Sequence, residues 1–136
     1  MTVKRGRFPK ALTLMELMIV IVIVSILASV AVPIMNGRID RAKWSEGRAM
    51  AGSLASAIRA YAAEHGVAGY SNPTLAEMGF PTADLQGKYF GPGNYSWTST
   101  YGGVPPALAF TITITAGTGI TTPAVVTLDE AGNWTP

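Results

Sequence analysis

Leu12-Thr13-Leu14-Met15-Glu16-Leu17-Met18-Ile19-Val20 opens an apolar stretch that runs without a break to Pro33 and is the strongest indication of fold in this chain. Between residues 12 and 32 the only charged side chain is Glu16. A run of about 20 apolar residues is long enough to cross the hydrocarbon core of a bilayer as a helix. A carboxylate is costly in that environment and usually marks a functional position. The stretch therefore predicts a membrane-spanning helix whose one acid has a partner.

The charge of the chain is unevenly distributed around this stretch. Four basic residues precede it, whereas residues 12–136 carry six basic and eight acidic side chains, so the net charge of +2 comes from the N-terminus. The positive-inside rule then keeps the N-terminus in the cytoplasm and sends the C-terminus across the membrane. The high calculated pI is no argument for nucleic-acid binding, and a nucleic-acid partner has no support from particular residues. The four basic residues are Lys4, Arg5, Arg7 and Lys10.

The chain divides into four segments by composition. Residues 1–11 form a basic leader, residues 12–33 the membrane-spanning helix, residues 34–65 an amphipathic continuation of that helix, and residues 66–136 a loop followed by a β-rich region. The continuation is predicted to end at His65-Gly66, because glycine readily adopts the positive φ found after helices. Its predicted apolar stripe follows the three-to-four spacing of a helix and consists of Ile39, Met50, Leu54, Ala57, Ile58 and Tyr61.

The last segment predicts a small antiparallel sheet. Thr74 and Glu77 have the Thr-x-x-Glu spacing of a capping box, which predicts one short helical turn. Alternation of apolar and polar residues and the flanking glycines then predict strands and a final polar turn. The predicted fold class is α+β: a long N-terminal helix, half membrane-spanning and half amphipathic, packed on this sheet. The predicted strand regions are 89–90, 95–97, 108–115 and 124–128, and the turn is 129–133.

The N-terminal residues resemble the class III signal segment of type IV pilins and type II secretion pseudopilins. The resemblance covers about 22 residues closely, and the remainder agrees in architecture only. It implies that a prepilin peptidase cuts between Ala11 and Leu12, and that the new amine of Leu12 is N-methylated. The conserved glutamate and the helix-bending proline of the family correspond to Glu16 and Pro33. Ala11 departs from the usual glycine before the cut, and Leu12 from the usual phenylalanine after it.

The same resemblance implies a role for the acid. Glu16 would neutralise the Leu12 amine of a neighbouring subunit, with Thr13 adding a hydroxyl to the cluster, so that a wrongly docked subunit leaves buried charges unpaired. Small residues, among them Ser25 and Ala28, permit close helix packing. The implied function is a structural, non-enzymatic subunit of a pilus-like filament.

The partners implied are copies of the chain in a helical filament, the prepilin peptidase and methyltransferase, the inner membrane before assembly, and an assembly platform. The location is the bacterial inner membrane and then the extracellular pilus or a periplasmic pseudopilus. Two alternatives remain open at this point. One is a pseudopilin of a periplasmic secretion piston, and the other is a membrane-anchored minor pilin or binding module that does not polymerise.

The remaining candidate residues favour structural roles. His65 is the only histidine and is interpreted as a capping or surface residue. Asp129, Glu130 and Asn133 form a weak calcium candidate, because oxygen ligands cluster there, although an ordinary polar turn is favoured. No cofactor is predicted, and the chain has no cysteine for thiol chemistry. The aromatic residues of the β region are expected mainly in the core and at subunit contacts: Tyr89, Tyr95, Trp97, Tyr101 and Trp134.

Overall fold

A computed structural model describes residues 12–136, and the leader therefore lies outside the described residues. The described residues form one long helix and four strands in the order α1, β1, β2, β3, β4. The chain divides into two units, the first ending at Asn36 and the second comprising Gly37–Pro136. The bounds are α1 Leu14–Gly69, β1 Tyr95–Gly102, β2 Ala107–Thr115, β3 Val125–Asp129 and β4 Trp134–Thr135, with 3₁₀ turns at Thr82–Leu85 and Pro92–Asn94.

The first unit contains the apolar part of α1. Its large apolar side chains between Leu14 and Met35 are 51% to 77% exposed, so none of them is covered by the rest of the described chain. Among the described residues, α1 is the one helix long and apolar enough to cross a membrane. These side chains therefore require an apolar environment, which lipid or other apolar helices can provide.

The second unit is built around one face of α1. Its buried positions repeat at intervals of three and four residues, which is the period that places side chains on one side of a helix. Leu54, Ile58 and Tyr61 were predicted on this face, and the structure confirms them. Ile39 was wrongly placed there: it is 43% exposed, and Asp40 is buried instead. The buried positions are Asp40, Trp44, Gly47, Ala51, Leu54, Ala55, Ile58, Tyr61 and Ala62.

The four strands form one antiparallel sheet in chain order. The alternation in β2 sorts its side chains: Ile112 and Ile114 are buried, whereas Thr111 and Thr115 face solvent. The inner face joins buried residues of α1 in a single core. The predicted α+β class, with a long helix packed on a small antiparallel sheet, is confirmed.

Two predicted boundaries need correction. The helix breaks at Gly66 as predicted, with φ at +63°, but α1 continues from there to Gly69. The pair Tyr89-Phe90 is not a strand, because its two backbone N–H groups donate to Glu46 of α1 and not to a neighbouring strand. The capping box at Thr74 and Glu77 is confirmed, with the Thr74 N–H and hydroxyl donating to the same Glu77 oxygen at 2.7 and 2.8 Å.

Candidate functional site

Glu16 is hydrogen-bonded to Thr13 at the start of α1. The backbone N–H and the hydroxyl of Thr13 donate to Glu16 Oε2 at 2.9 and 3.0 Å, and the N–H of Glu16 donates back to Thr13 Oγ1 at 3.2 Å. This reciprocal pair is a capping box, which satisfies N–H groups that lack a partner inside the helix. These bonds hold the Glu16 carboxylate at the N-terminal end of α1, close in sequence to Leu12.

The capping box brings two predicted site residues together within one chain. Thr13 had been predicted to add a hydroxyl near Glu16, but the Thr-x-x-Glu spacing at residues 13–16 was not identified as a cap. The signal was present, since Thr74 and Glu77 have the same spacing. One oxygen of Glu16 accepts both bonds from Thr13, and within residues 12–136 Oε1 has no hydrogen-bond partner. A cationic group that approaches the helix end therefore finds an available acceptor.

Small and hydroxyl-bearing residues interrupt the apolar surface of α1. The hydroxyls of Ser25 and Ser29 donate to the carbonyls of Ile21 and Ile26, at 2.6 and 2.7 Å, so these polar groups are satisfied within the helix. Such residues allow another helix to approach closely. Pro33 lies inside α1, and the only residue of α1 with non-helical dihedrals is Gly66. Pro33 therefore does not end the helix, and a bend there remains a prediction.

Two carboxylates connect α1 to loops of the second unit. Asp40 Oδ2 accepts bonds from the N–H and hydroxyl of Thr121, at 3.1 and 2.6 Å, and from the N–H of Thr122 at 3.3 Å. Glu46 Oε1 accepts the N–H groups of Tyr89 and Phe90 at 2.9 and 3.1 Å. These bonds join residues more than 40 positions apart in the sequence and position the loops over the helix.

The same bonds lower the pKa of both acids. The hydroxyl and backbone of Thr121 lower the pKa of Asp40 below its ordinary value of 3.8. The backbone N–H of Tyr89, followed by those of its neighbours, lowers the pKa of Glu46 below 4.5. Sequence reasoning missed both residues. The spacing of Asp40, Trp44 and Gly47 would have placed an acid on the buried face, where it needs donors.

Phe90 lies directly over the helix backbone at Gly47. A Cβ at Gly47 would lie 2.9 Å from Phe90 Cζ and about 3 Å from both Cε atoms. The ring is 5.1 Å from that of Trp44 and 6.3 Å from that of Tyr95. A larger residue at position 47 would therefore force the aromatic ring to shift, whereas the backbone conformation there does not call for glycine.

The calcium candidate forms a hydrogen-bonded turn between β3 and β4. Asp129 Oδ1 accepts the N–H of Asn133 at 2.7 Å, and Oδ2 accepts its side-chain amide at 2.9 Å. These bonds lower the pKa of Asp129. Both carboxylate oxygens are thus already used in the turn, and Glu130 is exposed. No group of three or more acidic or histidine side chains suited to a metal occurs in residues 12–136.

The aromatic residues of the β region are mostly engaged with the rest of the second unit. The indole N–H of Trp97 donates to the carbonyl of Pro73 at 2.9 Å. Tyr101 packs edge-on against Tyr70, and Tyr95 is buried. His65 is exposed and stacks on Tyr61 with ring centroids 4.0 Å apart.

Part of the chain is similar to known proteins. Residues 8–32 match the prokaryotic N-terminal methylation motif. Over 80 residues, 59% of this chain, it is 44% identical to a type IV major pilin protein PilE1 of Neisseria gonorrhoeae, of which the match covers 36%. Over the same length it is 45% identical to a fimbrial protein of Neisseria meningitidis serogroup A, of which the match covers 46%. The chain spans less than half the length of these curated relatives. No solved structure matches it.

Proposed function

We propose that the chain is a structural subunit of a type IV pilus-like filament, and this proposal is supported by its N-terminal methylation motif and by its similarity to type IV pilins. The observation that carries this proposal is the apolar part of α1. Its large side chains are more than half exposed between Leu14 and Met35, and its single charge lies at the N-terminal end. Such a surface suits a bilayer first and a bundle of identical helices afterwards.

The proposed life of the subunit begins in the inner membrane. Residues 1–11 orient the precursor with its N-terminus in the cytoplasm, and a prepilin peptidase cuts between Ala11 and Leu12. Methylation of the new Leu12 amine follows. Residues 12–33 then act as the filament core, residues 34–65 connect it to the head, and residues 66–136 face outward.

Glu16 is the proposed register device of assembly. Its Oε2 is held by Thr13, and its Oε1 is available at the same helix end. The Leu12 ammonium of a neighbouring subunit would bind there as the subunit leaves the bilayer. In an apolar bundle a mismatched position leaves both charges without partners, which is strongly unfavourable.

The relatives favour a pilin over a pseudopilin. Those named above are a major pilin and a fimbrial protein, and the match with them extends beyond the motif to 80 residues. We therefore place the assembled subunit in an extracellular pilus, with an assembly platform and other copies of the chain as its partners. No enzymatic role is proposed.

The test is the Glu16→Ala variant, with Glu64→Ala as its matched control. Both remove one exposed carboxylate from α1, but Glu64 lies in the second unit, far along the sequence from the proposed core. Glu16→Ala is expected to insert into the membrane at the normal level and to form no filaments by electron microscopy, whereas Glu64→Ala forms them normally. Normal filaments from Glu16→Ala would refute the assembly role.

N-terminal mass spectrometry of shed wild-type filaments completes this test. A mature chain that begins with methylated Leu12 is expected. A chain that still carries Ala11 would refute the proposed cleavage site.

A further inference from the structure

Arg38 and Arg41 differ from the other basic residues of the second unit. Both are exposed, and neither makes a hydrogen bond, an ion pair or a ring contact with any residue among 12–136. By contrast, Arg48 lies over the ring of Trp134 at 5.4 Å, and Lys88 lies over that of Tyr89 at 5.2 Å. Within residues 12–136, Arg38 and Arg41 are therefore the two basic side chains that have no partner.

The two arginines are not neutralised by the acid between them in the sequence. Asp40 is 6% exposed, and its Oδ2 is occupied by Thr121 and Thr122. Arg38 and Arg41 are separated by one helical turn, so they lie on neighbouring positions of the same side of α1. Together they present two guanidinium groups to solvent.

Their place in the sequence puts them beside the membrane. Arg38 follows Met35, the last large apolar residue of the exposed run, by three residues. The two Cα atoms are therefore at most about 11 Å apart in any backbone conformation. The headgroup layer of a bilayer is about 5–7 Å thick on each side, and a long arginine side chain can extend into it. When residues 12–35 span the hydrocarbon core, the guanidinium group of Arg38 can reach the phosphates of the exported leaflet, and Arg41 lies one helical turn further along the same side of α1.

We propose that Arg38 and Arg41 form a binding site for the phosphate groups of anionic phospholipids on the exported face of the membrane. The planar guanidinium matches phosphate with paired hydrogen bonds, which a lysine ammonium does not provide. The inference rests on the proposed function in one respect. Once residues 1–11 are removed, these arginines are the first basic residues of the chain, and they hold the waiting subunit on the side to which it will be extracted.

The test is lipid selectivity measured by electron spin resonance. The full chain is reconstituted at low density in phosphatidylcholine vesicles with a trace of spin-labelled phosphatidylglycerol or spin-labelled phosphatidylcholine. The ratio of the two bound fractions gives the preference for the anionic lipid. The variants are Arg38→Gln/Arg41→Gln and the charge-matched control Arg48→Gln/Lys88→Gln. The leader contributes equally in every sample.

Replacing Arg38 and Arg41 is expected to reduce the preference by about fivefold for each arginine, as for basic residues near an anionic surface. The control is expected to keep the wild-type preference, and Arg38→Lys/Arg41→Lys to fall between the two. An unchanged preference in the first variant overturns the site and favours acidic side chains of a second copy as the partner. Equal losses in both double variants overturn it as well. The measurement uses unassembled subunits and needs no cleavage or filament, so its failure leaves the Glu16 result unaffected.

Discussion

The close contact between Phe90 and Gly47 predicts that alanine at position 47 destabilises the second unit. Gly47→Ala introduces a Cβ that would lie 2.9 Å from Phe90 Cζ. The ring has little room to retreat, because it is packed against Trp44 and its own N–H is bonded to Glu46. Overpacking of this kind costs about 1–3 kcal/mol.

A second glycine of α1 separates this clash from helix propensity. Gly52 has no atom within 4 Å of the position of an added Cβ. Replacing glycine by alanine inside a helix stabilises it by about 1 kcal/mol, and this gain is common to both sites. Gly52→Ala is therefore expected to be more stable than wild type. Gly47→Ala is expected to be less stable than Gly52→Ala by the full overpacking cost, about 1–3 kcal/mol.

The assay is thermal unfolding of the full chain in detergent, followed by the near-ultraviolet circular dichroism of the buried aromatic residues. For a unit of this size, each 1 kcal/mol shifts the midpoint by about 4–8 °C. Gly47→Ala should therefore melt well below Gly52→Ala. The double variant Gly47→Ala/Phe90→Leu should show a smaller effect of the alanine, because the ring that it meets is gone. Equal midpoints for the two alanine variants would show that an added Cβ at position 47 does not clash with Phe90.

Two further predictions concern titrating groups. The Tyr95 hydroxyl is buried without a hydrogen-bond partner among the described residues, so Tyr95→Phe should raise the unfolding free energy by about 1 kcal/mol. Burial, and then the charge of Glu46, raise the pKa of Tyr95 to about 12. The wild type should therefore lose stability from pH 10 upward, and Tyr95→Phe should lose less. Urea unfolding at neutral and alkaline pH measures both losses, and equal losses at alkaline pH would contradict the prediction. At the acid end, the lowered pKa values of Asp40 and Glu46 give stability that is present above their ordinary values of 3.8 and 4.5 and is lost as pH falls through the folded values. Asp40→Asn/Glu46→Gln should therefore be less stable than wild type at neutral pH, and its stability should fall less as the pH is lowered. Urea midpoints measured from neutral to acid pH test this. An unchanged acid dependence would exclude a contribution of these two carboxylates.

The parts of the fold that follow from local patterns could be predicted from the sequence. The length and purity of the apolar run identify the first half of α1, because a bilayer imposes the same requirement on every residue of it. The alternation in β2 similarly separates Ile112 and Ile114 from the threonines on either side of each, since each side chain faces the opposite side of the sheet from its neighbours. In both cases a local pattern of apolar residues carries the information without any long-range contact.

The loops could not be predicted in this way, because long-range contacts determine them. Tyr89-Phe90 has the composition of a strand, yet its N–H groups are taken by Glu46, a residue 43 positions earlier. β-propensity reflects how well a residue fits a pleated, half-buried surface. Here the carboxylate of a helix residue accepts the N–H groups that a neighbouring strand would otherwise bind. Ile39 was misplaced for a related reason. An apolar residue was preferred for the buried face, although Asp40 has the right spacing and finds its donors in a loop that the sequence does not bring near.

The candidate assembly site shows why a motif does not by itself state a role. Thr13 and Glu16 have the same spacing and nearly the same bonds as Thr74 and Glu77. In the second unit the carboxylate only caps a short turn at the surface. At residue 16 the same cap lies in an apolar segment, and no other side chain between residues 12 and 32 is charged. The two capping boxes therefore have the same local geometry and differ in their environment. The apolar stretch from Leu12 to Val32 is what distinguishes the proposed register device from a structural cap.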